Sequence, residues 1–101
     1  MSIAYVFEGA GMDQDAYDAL MSAMGFGDPA GPYPDGLQAH LAGPAQDGVW
    51  RVIDVWESDE AATRFYTSDG FAPVRSSGAA ISSNPWPLHR LTTRQELHQL
   101  T

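Results

Sequence analysis

Gly48-Val49-Trp50-Arg51-Val52-Ile53-Asp54-Val55-Trp56-Glu57-Ser58-Asp59-Glu60 holds a strand, its stop and the start of a helix, and the other elements can be placed from it. β-Branched and aromatic residues fit a pleated surface, and here they alternate with single polar residues, so the run after Gly48 predicts a strand. Ser58 then offers a side-chain oxygen to the free amides of a helix start, and Asp59 and Glu60 put negative charge at its positive end. Successive strand residues point to opposite faces. Ile53 and Val55 make one face apolar, whereas Trp50, Val52, Asp54 and Trp56 share the other. A carboxylate between two tryptophans is out of place where a sheet only packs against a helix. It suits the lining of a cavity.

Leu37 to Gly43 predicts a second strand, joined to the Trp50 strand by Pro44-Ala45-Gln46-Asp47-Gly48. A hairpin loop of about five residues sets Ala42 opposite Trp50 and His40 opposite Val52. In that register Gln38 and His40 join Trp50, Asp54 and Trp56, while Leu37, Ala39 and Leu41 share the face of Ile53 and Val55. A slip of one residue would mix apolar and polar side chains on both faces.

Upstream, Ile3 to Glu8 predicts a strand with Ile3, Tyr5 and Phe7 on one face. Asp13 to Met24 predicts a helix whose apolar stripe is Ala16, Tyr17, Leu20, Met21 and Met24, stopped at Gly25. Between them and the hairpin, Phe26 to Gly36 holds three prolines and three glycines, which reads as a long loop and a candidate lid. Downstream, a helix runs from Asp59 to about Thr67 and is broken by Asp69-Gly70. A short helix with Phe71 and Val74 inward follows, then a turn at Ser82-Ser83-Asn84-Pro85. Trp86 to Thr92 is expected as a fourth strand, at a sheet edge because Pro87 has no ladder donor. Thr93-Arg94-Gln95-Glu96 has the capping-box pattern, so residues 94–101 read as a tail or a short amphipathic helix.

The order β-α-β-β-α-β over one domain, residues 1–101, is that of an α+β, ferredoxin-like sheet with both helices on one face. Such a sheet leaves its other face bare. Trp50, Val52 and Trp56 are costly to leave wet, so a homodimer is expected in which two copies pack these faces together. The composition, 44% hydrophobic and 11% aromatic, supports a packed core. With 13 acidic against 5 basic residues the formal charge is -8, which repels phosphate backbones and anionic membranes, so neither nucleic acid nor a membrane is an expected partner. There is no cysteine, hence no disulfide, thiolate metal site or cysteine nucleophile. No apolar run approaches the roughly 20 residues of a membrane span, and no leader-like stretch opens the chain, so a cytoplasmic location is expected. Gly9-Ala10-Gly11 lacks the third glycine of a dinucleotide fingerprint.

The element order, the length and the segment Asp54-Val55-Trp56-Glu57-Ser58-Asp59-Glu60-Ala61 running into a helix resemble the dimeric α+β barrel superfamily, and within it the antibiotic-biosynthesis-monooxygenase-like proteins. The likeness covers roughly residues 3–92. It implies a barrel of two facing sheets with a small-molecule lumen, in a superfamily that includes cofactor-independent oxygenases, haem-degrading enzymes, polyketide cyclases and proteins of no known activity. The haem-degrading members use a Trp in the second helix, a His ten residues later and an Asn on the first strand. Those positions here hold Phe65, Arg75 and Ala4, so haem degradation is rejected.

His40 and Asp54 are the candidate catalytic pair, because the hairpin places both on the lumen face of adjacent strands. A histidine oriented by a carboxylate can serve as a general base near neutral pH, on an acidic phenol or a 1,3-dicarbonyl carbon. The alternative is a hydrogen-bonded pair in a wall or an interface. Trp50, Trp56 and Trp86, with Gln38 and His89, are the candidate substrate-binding residues; the aromatic rings suit a flat ligand, although a packed core also explains them. A metal held by His40, Asp54 and His89 is chemically conceivable, but nothing in their spacing requires it, and neither a metal nor a cofactor is expected. Two functions follow. One is a base-catalysed biosynthetic enzyme, a cofactor-independent monooxygenase or a cyclase, on a hydrophobic aromatic or polyketide-like metabolite. The other is a non-catalytic ligand-binding or structural barrel. A lumen of about 300 Å³ or more with His40 facing in favours the first, and one packed shut by Trp50 and Trp56 the second.

Overall fold

Four strands, β1 (Ile3–Ala10), β2 (Leu37–Pro44), β3 (Val49–Trp56) and β4 (Ile81–Pro87), form an antiparallel sheet in the order β2-β3-β1-β4. The computed structural model describes residues 2–92, so the expected tail or helix at 94–101 lies outside the described residues. Among the described residues three α-helices accompany the sheet: α1 (Gln14–Ala23), α2 (Asp59–Tyr66) and the single turn α3 (Ala72–Arg75). The result is the α+β ferredoxin-like arrangement that the element order predicts.

Both longer helices start as their sequences dictate. The Asp13 carboxylate accepts from Ala16 N–H at 2.9 Å and Ser58 Oγ from Ala61 N–H at 3.1 Å, each satisfying an amide that has no partner inside its helix. Gly25, at φ 85°, ends α1 in the left-handed conformation that glycine adopts without strain. Among the described residues no helix is long and apolar enough to cross a membrane.

The hairpin differs from expectation by two residues. Pro44 stands opposite Trp50, Ala42 opposite Val52 and His40 opposite Asp54. A 3₁₀ turn at Gln46–Gly48, with Ala45 N–H donating to Val49 O at 2.7 Å, makes the connection tighter than an open five-residue loop. A shift of two keeps each side chain on its face. It moves His40 from beside Asp54 to directly across from it.

Further along β2 the pairing is irregular between Leu37 and Ala39, so Leu37, and not Gln38, lies opposite Trp56. Gln38 is the extra residue of this bulge. β4 also departs from expectation: it spans Ile81–Pro87, not Trp86 to Thr92, and absorbs the segment expected as a turn. Its prolines are tolerated because it is an edge strand, as Pro87 predicts.

The largest correction concerns which face the helices cover. The wall of one cavity is made jointly by Tyr17, Leu20 and Met21 of α1, Phe65 of α2, and Trp50, Asp54 and Trp56 of β3. Trp56 is 1% exposed, Asp54 8% and Trp50 9% within a single chain. The tryptophan face is therefore the helix-covered face, and the expected pairing of two copies through Trp50, Val52 and Trp56 is overturned. Covering this face lets α2 bring the Tyr66 hydroxyl to the buried Asp54 carboxylate. The face that the helices leave uncovered among the described residues carries Val6, Leu41, Ile53 and Trp86 beside the buried Ala4 and Val55, joined across the strands by the pairs Val6–Ile53 and Leu41–Ile53 and carried to β4 by Ala4–Trp86. Leu41 is 54% and Trp86 56% exposed there.

Candidate active site

Five side chains from four elements form one hydrogen-bonded chain across the interior. His40 on β2 and Asp54 on β3 meet because they are cross-strand partners, with Nδ1 2.6 Å from Oδ1. The carboxylate has no proton to give, so it takes the Nδ1–H of the neutral ring and leaves the lone pair on Nε2. That lone pair accepts from the Tyr17 hydroxyl of α1 at 2.5 Å. On the other side, Asp54 Oδ2 accepts from the Tyr66 hydroxyl of α2 at 2.8 Å. Tyr66 in turn accepts from Trp56 Nε1–H at 2.9 Å. Both carboxylate oxygens and both ring nitrogens are engaged, which is what allows such polar groups to lie in an apolar wall.

Burial sets the chemistry of the two hydroxyls. Desolvation, followed by the negative charge of Asp54, pushes the Tyr17 hydroxyl up to about 12. The same two causes, in the same order, raise Tyr66 further. Both are therefore protonated donors at neutral pH. Packing fixes their rings: Tyr17 lies 5.4 Å from Trp50, and Tyr66 meets Trp56 edge-on at 5.5 Å.

The cavity measures about 90 Å³. His40, Asp54, Trp50 and Trp56 all line it, so four of the residues that the sequence singles out are brought together. The remaining three are not. Gln38 is exposed on its bulge and accepts from Ser2 Oγ at 2.7 Å. Trp86 projects from the opposite face of the sheet, as its pairing with Ala4 requires. His89 is exposed in the bend after β4. These positions remove Gln38, Trp86 and His89 from the cavity wall, and the set His40, Asp54 and His89 does not assemble around one point. Among the described residues no three His, Asp or Glu side chains converge.

Leu37 takes the place expected of Gln38, and Phe26, Tyr33 and Pro34 bring the long loop over the cavity. Phe26 stacks obliquely on both Tyr33 and Phe65, at 6.0 and 5.8 Å between ring centres. Sequence reasoning missed Tyr17 and Tyr66 as polar partners, reading Tyr17 as part of an apolar helix stripe. The available signal was the hydroxyl itself: a buried tyrosine normally finds a partner, and Asp54 was the buried group in need of donors. The Trp50 indole N–H is buried without a hydrogen-bond partner among the described residues.

No protein-family model matches the chain, and neither does any curated protein sequence. Solved structures do resemble it. The cofactor-independent oxygenase SnoaB from Streptomyces nogalater superposes with a TM-score of 0.62 at 17% identity, covering 92% of this chain and 97% of that one. Rv0793 from Mycobacterium tuberculosis gives 0.63 at 18% identity, over 91% and 100% of the two chains. A protein from Deinococcus radiodurans, provisionally named as an antibiotic biosynthesis monooxygenase, gives 0.60 at 12% identity, over 92% and 97%. At these identities the likeness establishes the fold alone, the ferredoxin-like α+β arrangement that these proteins share with the chain.

Proposed function

We propose that the chain is an enzyme that removes a proton from a hydrophobic aromatic or polyketide-like metabolite, using His40 as base, and so prepares it for oxygenation without a cofactor or for ring closure. The observation that carries this reading is the His40–Asp54 pair, 2.6 Å apart and opening into an otherwise apolar cavity. A packed wall has no need of an ionisable pair, whereas proton abstraction needs a base, an orienting group and exclusion of water. Deprotonation yields a phenolate or a carbanion. Asp54 holds the imidazole in one tautomer and stabilises its cation, and Tyr66 and Trp56 hold Asp54. That SnoaB, with the same fold, is a cofactor-independent oxygenase supports the oxygenating branch.

The size of the cavity favours a second reading, a non-catalytic binding barrel. At about 90 Å³ it falls well below the 300 Å³ set as the mark of an open lumen. A fused-ring ligand then enters only if the segment carrying Phe26 and Tyr33 lifts. The lid assignment of Phe26 to Gly36 thus belongs to the enzymatic reading. Two copies pair through Val6, Leu41, Ile53 and Trp86, the apolar face that the helices leave bare.

The deciding experiment is a screen of small planar phenols and cyclic 1,3-dicarbonyls under air, following oxygen uptake and substrate absorbance. The enzymatic reading expects turnover that His40→Ala removes. Binding without turnover across the series supports the second reading.

A further inference from the structure

We propose that Tyr17, rather than His40, is the group that meets the ligand, and that it relays the ligand's proton to His40. The inference rests on the base reading above and deepens it. His40 has two nitrogens, and neither is open: Nδ1 is held by Asp54 at 2.6 Å and Nε2 by the Tyr17 hydroxyl at 2.5 Å. A ligand in the cavity cannot reach the basic lone pair without displacing that hydroxyl. Tyr17 also lines the cavity, and a hydroxyl that donates in one direction can accept in another. It is the open end of the chain of hydrogen bonds, whose other end, Trp56, is 1% exposed.

The transfer balances without a further reactant. The ligand O–H bond breaks as its proton moves to Tyr17 Oη, and the original Tyr17 O–H bond breaks as that proton moves to His40 Nε2. The products are a ligand anion, a neutral tyrosine and an imidazolium facing the Asp54 carboxylate. A relay suits this tyrosine better than a standing phenolate would. Burial first, and the Asp54 charge second, push its hydroxyl up to about 12, so the ionised form is disfavoured at neutral pH, and passing both protons together avoids it. The ring is held at 5.4 Å from Trp50, which keeps the hydroxyl aimed while the protons move.

The test uses 4-nitrophenol, whose phenolate is coloured, with the wild type, Tyr17→Phe and His40→Gln. Absorbance reports the ionisation of the bound probe against pH, intrinsic fluorescence reports its affinity, and ¹⁵N signals report the charge of His40. The relay expects wild-type protein to bind the probe partly as phenolate with His40 cationic. Tyr17→Phe should change affinity less than tenfold yet slow the ionisation of the bound probe after a pH jump, whereas His40→Gln should lose the bound phenolate altogether. If the probe bound to Tyr17→Phe ionises at the wild-type rate after a pH jump, the proton goes straight to His40 and the relay is overturned while the base reading stands. Wild-type protein that is saturated with probe and shows no phenolate overturns both. A second measurement needs no variant: in the wild-type complex, magnetisation transfer should place the probe's ring protons nearer the Tyr17 ring than His40 Hε1, and the reverse order overturns the relay.

Discussion

At His40, alanine removes the proton acceptor while leaving both strands intact, so turnover of any substrate found should fall by about 10²-fold or more with an unchanged circular dichroism spectrum. Wild-type rates in His40→Ala would make the histidine a wall residue. Asp54→Asn should lower the rate more than the affinity, because the amide cannot balance an imidazolium. The tyrosines give a prediction in pH. Both fold with hydroxyl pKa values above the ordinary 10.0, so the folded chain holds these protons more tightly than the unfolded one. Their contribution to stability is complete below the unfolded value and is lost as pH rises past it and through the folded values. Denaturant midpoints should therefore drop as pH rises from about 10 towards about 12, and Tyr66→Phe should flatten that drop. An equal drop in Tyr66→Phe would mean that other groups cause it. Much of the site was legible at this scale, because strand alternation together with the hairpin puts His40 and Asp54 on one face. Tyr17 was not: helical spacing gives a stripe, and a stripe does not tell a ring that packs from a hydroxyl that donates.

Among the elements, the helix starts are the most local features: Ser58 caps α2 as its sequence predicts, and Asp13, expected as the first residue of its helix, is the cap of α1. Ser58→Ala should cost about 1 kcal/mol, measurable by chemical denaturation. Gly36 is a stricter position. Its φ is 89°, an added Cβ would lie 2.7 Å from the Ala61 Cβ, and its carbonyl accepts from Glu57 N–H at 2.9 Å, which ties the end of the long loop to the β3–α2 junction. Gly36→Ala should destabilise the chain by upward of about 1 kcal/mol, and a neutral result would show that the loop end yields easily. Register was legible only to within an even shift. Alternation fixes the face of a strand, but sliding β2 by two residues preserves every face, and only the tight turn at Gln46–Gly48 decides between the registers. The bulge at Gln38 and the start of β4 at Ile81 depend on pairing with β3 and β1, so no local pattern announces them.

For the whole molecule, alternation separated two apolar faces of the sheet without saying which one the helices take. The answer moves the expected dimer contact to Val6, Leu41, Ile53 and Trp86. Sedimentation should report a dimer at micromolar concentration, and the double variant Leu41→Asp, Trp86→Asp should be monomeric and folded. Trp56→Ala should instead cost about 3–5 kcal/mol and leave the dimer in place. A wild-type monomer would rule the pairing out. The chain of hydrogen bonds from Tyr17 to Trp56 spans α1, the sheet and α2, and this bears on how the protein can vary. Losing an end member frees one group, and at the Tyr17 end that group, His40, is 22% exposed in its side chain and can turn to water. Losing Asp54 strands a ring N–H and a hydroxyl together, at roughly 1–3 kcal/mol each. In a library selected for abundance alone, with no demand for activity, substitutions should therefore accumulate at Tyr17 well before they are tolerated at Asp54: drift would silence the site from its mouth inward, leaving a folded protein that still carries the buried half of its former machinery.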